Sequence, residues 1–174
     1  MLISKDLQKL MNQQVGNEMG ASLQYTSIAS YFTREDLPML AELFFLQADE
    51  ERMHAMKFVH YVNEAGGNLV IPDVKAPKSD FASAEEAVKL SLDWELEVTR
   101  QINAIMDQAV KEGDHIAQNF LRWFVTEQLE EVSTMSTLLR TVQRADSNLL
   151  LVEDFLARHP LGAAAETGAA PAAG

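Results

Sequence analysis

Residues 48–58 read ADEERMHAMKF, with two adjacent glutamates and a histidine inside a segment of helical periodicity. Alternating steps of three and four through that segment pass Leu40, Phe44, Gln47, Glu51, His54, Phe58, Tyr61 and Ala65. Side chains so spaced share one face of a helix. The ends of this face are apolar, while its middle holds Gln, Glu and His. A carboxylate is therefore expected on a buried seam, which is costly unless something neutralises it.

The same stepping finds three more seams of this kind. One runs Leu7, Met11, Gln14, Glu18, Ala21, Tyr25, Ile28, Phe32; another runs Ala84, Val88, Ser91, Glu95, Val98, Ile102, Ile105, Ala109. The last runs Leu121, Phe124, Gln128, Glu131, Met135, Leu138, Val142. Each seam carries a glutamate, and only the one around Glu51 adds a histidine.

Helix signals run almost end to end and strand signals are nearly absent. Helices are expected over Ser4–Phe32, Asp36–Ala65, Ser83–Glu112, Asp114–Arg144 and Ser147–Arg158. Pro38 suits a first helical turn, Gly66 and Gly67 a helix end, and Ser83 with Glu86 a capping box. Gly113 and Asp114 stop one helix and cap the next. Short turns make the first and second helices antiparallel, and likewise the third and fourth. The seventeen residues GGNLVIPDVKAPKSDFA between the second and third reach about 56 Å when extended, enough to cross the length of a bundle. The expected fold is all-α: a four-helix bundle with one long crossover between helices 2 and 3 and a short fifth C-terminal helix. The apolar NLVI of the crossover invites cover from a partner chain. One domain is expected over residues 1–160, followed by a low-complexity, disordered tail over 161–174.

Composition narrows the function. A net charge of -12 from 26 acidic and 14 basic residues disfavours nucleic acid as a partner. The chain has no cysteine, which excludes disulfides, thiolate zinc sites and thiol catalysis. No apolar run approaches the roughly 20 residues needed to span a bilayer, and no secretory signal opens the sequence. A cytoplasmic protein without membrane association is the expectation.

Glu18, Glu51, Glu95 and Glu131 fall at similar heights in their helices, within roughly 6–8 Å along the bundle axis. Four carboxylates and an imidazole would then meet in an apolar interior, where like charges repel and each loses hydration. Proton sharing relieves part of that cost; two divalent cations cancel the four charges. Carboxylates with one imidazole suit iron or manganese, with zinc as a competitor.

Four stretches carry a family resemblance: NEMGASLQY around Glu18, ADEERMHAM around Glu51 and His54, DWELEVTRQI around Glu95, and FLRWFVTEQLEEV around Glu131. Over roughly residues 5–158 the chain resembles the haem-free bacterial ferritins. The resemblance implies a ferroxidase centre with one iron on Glu18, Glu51 and His54 and a second on Glu51, Glu95 and Glu131, Glu51 bridging. It sets Gln128 beside the second iron and Tyr25 close by as an electron or hydrogen-bond donor. Glu50, Glu127 and Glu130 match a possible third iron site of some bacterial members.

The implied function is iron storage: Fe(II) is oxidised by dioxygen or hydrogen peroxide and mineralised inside a hollow homo-oligomeric shell of 24 subunits. Bacterioferritins place a haem-binding methionine directly after the equivalent of Glu51; here that position is Arg52, so no haem is expected. A non-storage di-iron or di-manganese peroxide-reducing enzyme is the alternative. A structural or partner-binding bundle with zinc in its core is a third reading.

Overall fold

In the computed structural model, which describes residues 2–162, the chain forms five helices, with no strand among the described residues. They are α1 (Lys5–Arg34), α2 (Pro38–Glu64), α3 (Ala84–Glu112), α4 (His115–Ala145) and α5 (Leu150–Arg158). α1 packs along α2, α3 along α4, and α1 also against α3. α2 and α4 face each other across a wider gap, with no Cα pair within 8 Å. α5 packs on α2 and α4. The expected bundle with its crossover is what the chain adopts. No described helix is long and apolar enough to cross a membrane.

Most helix ends follow the local chemistry. The Ser4 hydroxyl accepts from Leu7 N and the Ser83 hydroxyl from Glu86 N. Gly113 takes the left-handed conformation at φ 66° that ends α3, and Asp114 accepts from Ala117 N at the start of α4. Three ends differ from expectation by two residues or more, the first being that of α1, which runs on to Arg34 rather than Phe32. α2 begins at Pro38, because Asp36 sits in a left-handed turn at φ 56° and Leu37 has no capping side chain. Its cap comes from another element: the Glu153 carboxylate of α5 accepts from Met39 N at 2.8 Å and Leu40 N at 3.0 Å. A carboxylate on exposed N–H groups at a helix start is favoured by hydrogen bonding and dipole alike. α5 begins at Leu150 rather than Ser147, since positive φ at Asp146 ends α4 and residues 146–149 turn before helix resumes.

The crossover is fastened to α1 by side chains that pair with its backbone. Gln24 donates to Lys78 O and accepts from Lys78 N, both at 2.9 Å. Asn12 donates to Asn68 O, and Gln8 accepts from Asn68 N. The fit is close at Gly16, where an added Cβ would stand 2.3 Å from Pro72 Cγ. Val70 and Ile71 stay exposed.

The apolar interior is in two halves. One gathers Tyr25, Phe32, Leu40, Phe44, Val88, Met135 and Leu138; the other gathers Leu7, Met11, Phe58, Val62, Ile102, Leu121 and Phe124. Between them lies a buried polar layer that includes Gln14, Glu18, Gln47, Glu51, His54, Glu95, Gln128 and Glu131. Tyr61 is only half-buried and stacks on Phe120 with ring centroids 4.3 Å apart. Leu161 packs against the first apolar half; the rest of the tail, 163–174, lies outside the described residues.

Candidate metal centre

Each of the four long helices contributes one glutamate to the middle layer, and all four are at most 3% exposed. Helical periodicity alone puts them on the buried faces; the helix directions set by the two short turns and the long crossover put them at one level. Potential ligand atoms of Glu18, Glu51 and His54 lie within 4.8 Å of one another, as do those of Glu51, Glu95 and Glu131. The two groups share Glu51. All five residues named from the seams therefore come together, and in the two sets expected.

Four carboxylates this close cannot all stay ionised without cations. Burial pushes Glu18 up to about 7, against hydrogen bonds with Gln14 and Glu51 that favour its ionised form. Glu51 is raised well above the usual carboxylate range, first by burial and then by the charges of Glu95, Glu18 and Glu131. Glu131 is likewise raised well above it by burial, then by Glu95, Glu50 and Glu127, with the Gln47 hydrogen bond opposing. Burial also raises Glu95, restrained by hydrogen bonds from Tyr25 and Gln128. His54 moves the other way: burial, with Lys57 adding, pushes it down to about 4. A neutral imidazole with a free lone pair is what a metal takes.

The donor set fits a pair of divalent cations. Glu18 Oε2, Glu131 Oε2 and His54 Nε2 are buried and lack a hydrogen-bond partner. Orphaned polar atoms in a protein interior are rare and costly, and coordination satisfies them. His54 Nδ1 lies 3.3 Å from Glu51 Oε2, while Trp123 and Phe124 brace its ring in T-shaped contacts, with centroids 5.3 and 5.9 Å away. The Tyr25 hydroxyl donates a hydrogen bond to Glu95 Oε1. Burial and the charges of Glu95, Glu51 and Glu131 raise Tyr25 well above its ordinary value, so it stays a phenol and a donor. Gln128 Nε2 donates to Glu95 Oε2 at 3.2 Å.

A further group adjoins the pair on the α2–α4 side. Glu50, His54, Glu127 and Glu131 place ligand atoms within 4.8 Å of one another. Glu50 and Glu127 of the expected third site are thus joined by His54 and Glu131. Glu130 is exposed and belongs to none of these groups. One residue from Glu131 is about 100° around a helix, whereas Glu127 is a full turn away on the same face.

Two residues of the layer were on the seams without being read as part of the site. Gln14 Nε2 donates to Glu18 Oε1 at 3.0 Å, and Gln47 Nε2 to Glu50 Oε2 at 2.7 Å. Their signal was present in the sequence: each seam has an amide or hydroxyl one turn before its glutamate, at Gln14, Gln47, Ser91 and Gln128.

The chain is similar to known proteins in sequence and in fold. The family profile described as Ferritin-like domain matches residues 8–145. The chain is 43% identical over 165 residues to Ferritin BfrB of Mycolicibacterium smegmatis, covering 95% of this chain and 91% of that one. It is 37% identical over 164 residues to the bacterial non-heme ferritin of Staphylococcus aureus, covering 93% and 96%. A solved open pore ferritin from the hyperthermophilic archaeon Archaeoglobus fulgidus superposes with a TM-score of 0.86 at 30% identity, covering 89% of this chain and 96% of that one. A matched profile over most of the bundle, relatives along nearly the full length and a common fold agree: the chain belongs to the ferritin-like domain family.

Proposed function

We propose that this chain is the subunit of an iron-storage ferritin that oxidises Fe(II) at the paired mid-bundle site and holds the product as mineral inside a homo-oligomeric shell of 24 copies in the cytoplasm. The observation that carries the reading is the pair of ligand groups sharing Glu51, one on Glu18, Glu51 and His54 and the other on Glu51, Glu95 and Glu131. Its relatives named ferritin along most of the chain support it.

The protein's part is charge and geometry. Four glutamates balance two Fe(II) ions, and the protons that burial holds on the metal-free carboxyls leave as iron binds. His54 is already neutral and needs no such release. Tyr25 and Gln128 hold Glu95 by hydrogen bonds to both of its oxygens. Two Fe(II) ions give up one electron each; dioxygen takes two electrons and two protons and leaves as hydrogen peroxide, or peroxide takes them and leaves as water. Glu50 and Glu127, with His54 and Glu131, offer a next position for iron leaving the pair.

The test is rapid mixing of Fe(II) with the aerobic protein, followed by particle size and retained iron. Glu51→Ala and His54→Ala are expected to abolish the fast oxidation. Unchanged kinetics in either would take this site out of the reaction. Fast peroxide consumption with no shell and no retained iron would favour the non-storage enzyme instead.

A further inference from the structure

Gln47 is a fully buried amide on α2, one turn before Glu51. Its Nε2 donates to Glu50 Oε2 at 2.7 Å and reaches Glu131 Oε1 at 3.5 Å. Glu131 belongs both to the pair, with Glu51 and Glu95, and to the adjoining group, with Glu50, His54 and Glu127. Between the two carboxyl groups the amide presents its N–H side. Its Oε1 is left buried and without a partner, an unfavourable arrangement that a purely packing residue would not impose. The amide is also held from outside. A Cβ added to Gly162, just after α5, would stand 3.6 Å from both Nε2 and Oε1 of Gln47 and 3.3 Å from Thr134 Cγ2. The chain leaving α5 therefore lies directly on the amide, in the gap between α2 and α4.

We propose that Gln47 is a positioning residue that holds Glu50 beside Glu131, so that a metal ion leaving the pair finds the adjoining carboxylates already in place. The role rests on the metal-binding reading of the site. The shorter, stronger bond is the one to Glu50, so the adjoining group depends on Gln47 more than the pair does. Hydrogen bonds that orient a ligand carry about 10–100-fold in metal affinity.

The experiment is anaerobic titration of the whole metal-free protein with Co(II), following visible absorption and heat, alongside Gln47→Leu and Gln47→Met. The unaltered chain is expected to take up two ions tightly and a third more weakly. Gln47→Leu keeps the first two within about threefold and weakens the third at least about tenfold, with unchanged helix content. Gln47→Met keeps the reach of the side chain and removes its N–H donor; it is expected to weaken the third ion in the same direction. Should Gln47→Leu fail to fold, Gln47→Met decides. A third ion bound equally well by the variants, or an unaltered chain that stops at two, overturns the role of Gln47. An unaltered chain that binds no Co(II) overturns the metal-centre reading itself.

Discussion

Stripping every divalent cation from the protein leaves protons alone to neutralise the mid-bundle carboxylates, and stability then becomes a function of pH. The sign follows from the direction of each shift. Glu18 is raised in the folded chain from 4.5 to about 7, so the folded state binds the extra proton and loses stability as pH climbs through that interval. About 2.5 pH units at ~1.4 kcal/mol each amounts to roughly 3 kcal/mol, absent below pH 4.5 and complete above about pH 7. His54 is lowered from 6.5 to about 4; its contribution is present above pH 6.5 and lost as pH falls through that range. The two slopes oppose one another below pH 6.5. Above it His54 is silent, while Glu51 and Glu131, raised well above their ordinary value, act with the remainder of Glu18. Each carboxyl titrating there removes up to about 1.4 kcal/mol per pH unit. Metal-free protein is therefore expected to lose stability between pH 6.5 and 8.5, by up to about 1.4 kcal/mol per pH unit for each carboxyl still protonated, and Zn(II) to restore it. Urea unfolding followed by the fluorescence of Trp94 and Trp123, at fixed chain concentration with chelator or with Zn(II), measures this directly. Metal-free stability that stays level or rises across that window would refute the claim that these carboxyls are crowded and dry.

Two further outcomes concern how the scaffold holds the site. Gly16→Ala sets a methyl where Pro72 Cγ now lies, 2.3 Å from the added Cβ. Displacing the crossover costs about 1–3 kcal/mol, against up to ~1 kcal/mol gained in helix propensity, so a net loss of denaturant resistance is expected and a stabilised variant would contradict the packing. Glu153→Ala removes the cap on α2 supplied by α5. It is expected to cost about 0.5–2 kcal/mol and to speed hydrogen exchange at the Met39 and Leu40 amides; protection unchanged there would mean α5 does not cap α2.

Much of this molecule was legible before any coordinates. The 3.6-residue repeat fixes which side chains share a face, and counting along each helix fixes height, so Glu18, Glu51, Glu95 and Glu131 could be placed on one level, with His54 on the same face as Glu51. Those properties are internal to a helix, and a linear chain carries them. Relations between helices are different, because they depend on how far each helix is rotated about its axis and which elements meet. Periodicity within α4 already parts Glu127, on the face of Glu131, from Glu130; the rotation turned that face toward Glu50. It also set the Gln47 amide between Glu50 and Glu131. The start of α2 shows the same divide: the helix was expected from Asp36, yet it begins at Pro38 and its first N–H groups are satisfied by Glu153, more than 110 residues away in sequence. What the sequence settled by itself was the set of charges that must be neutralised in a dry interior. Tertiary packing decided which carboxylates share a cation, since coordination and hydrogen bonding act over a few ångströms between side chains that only the folded bundle brings together.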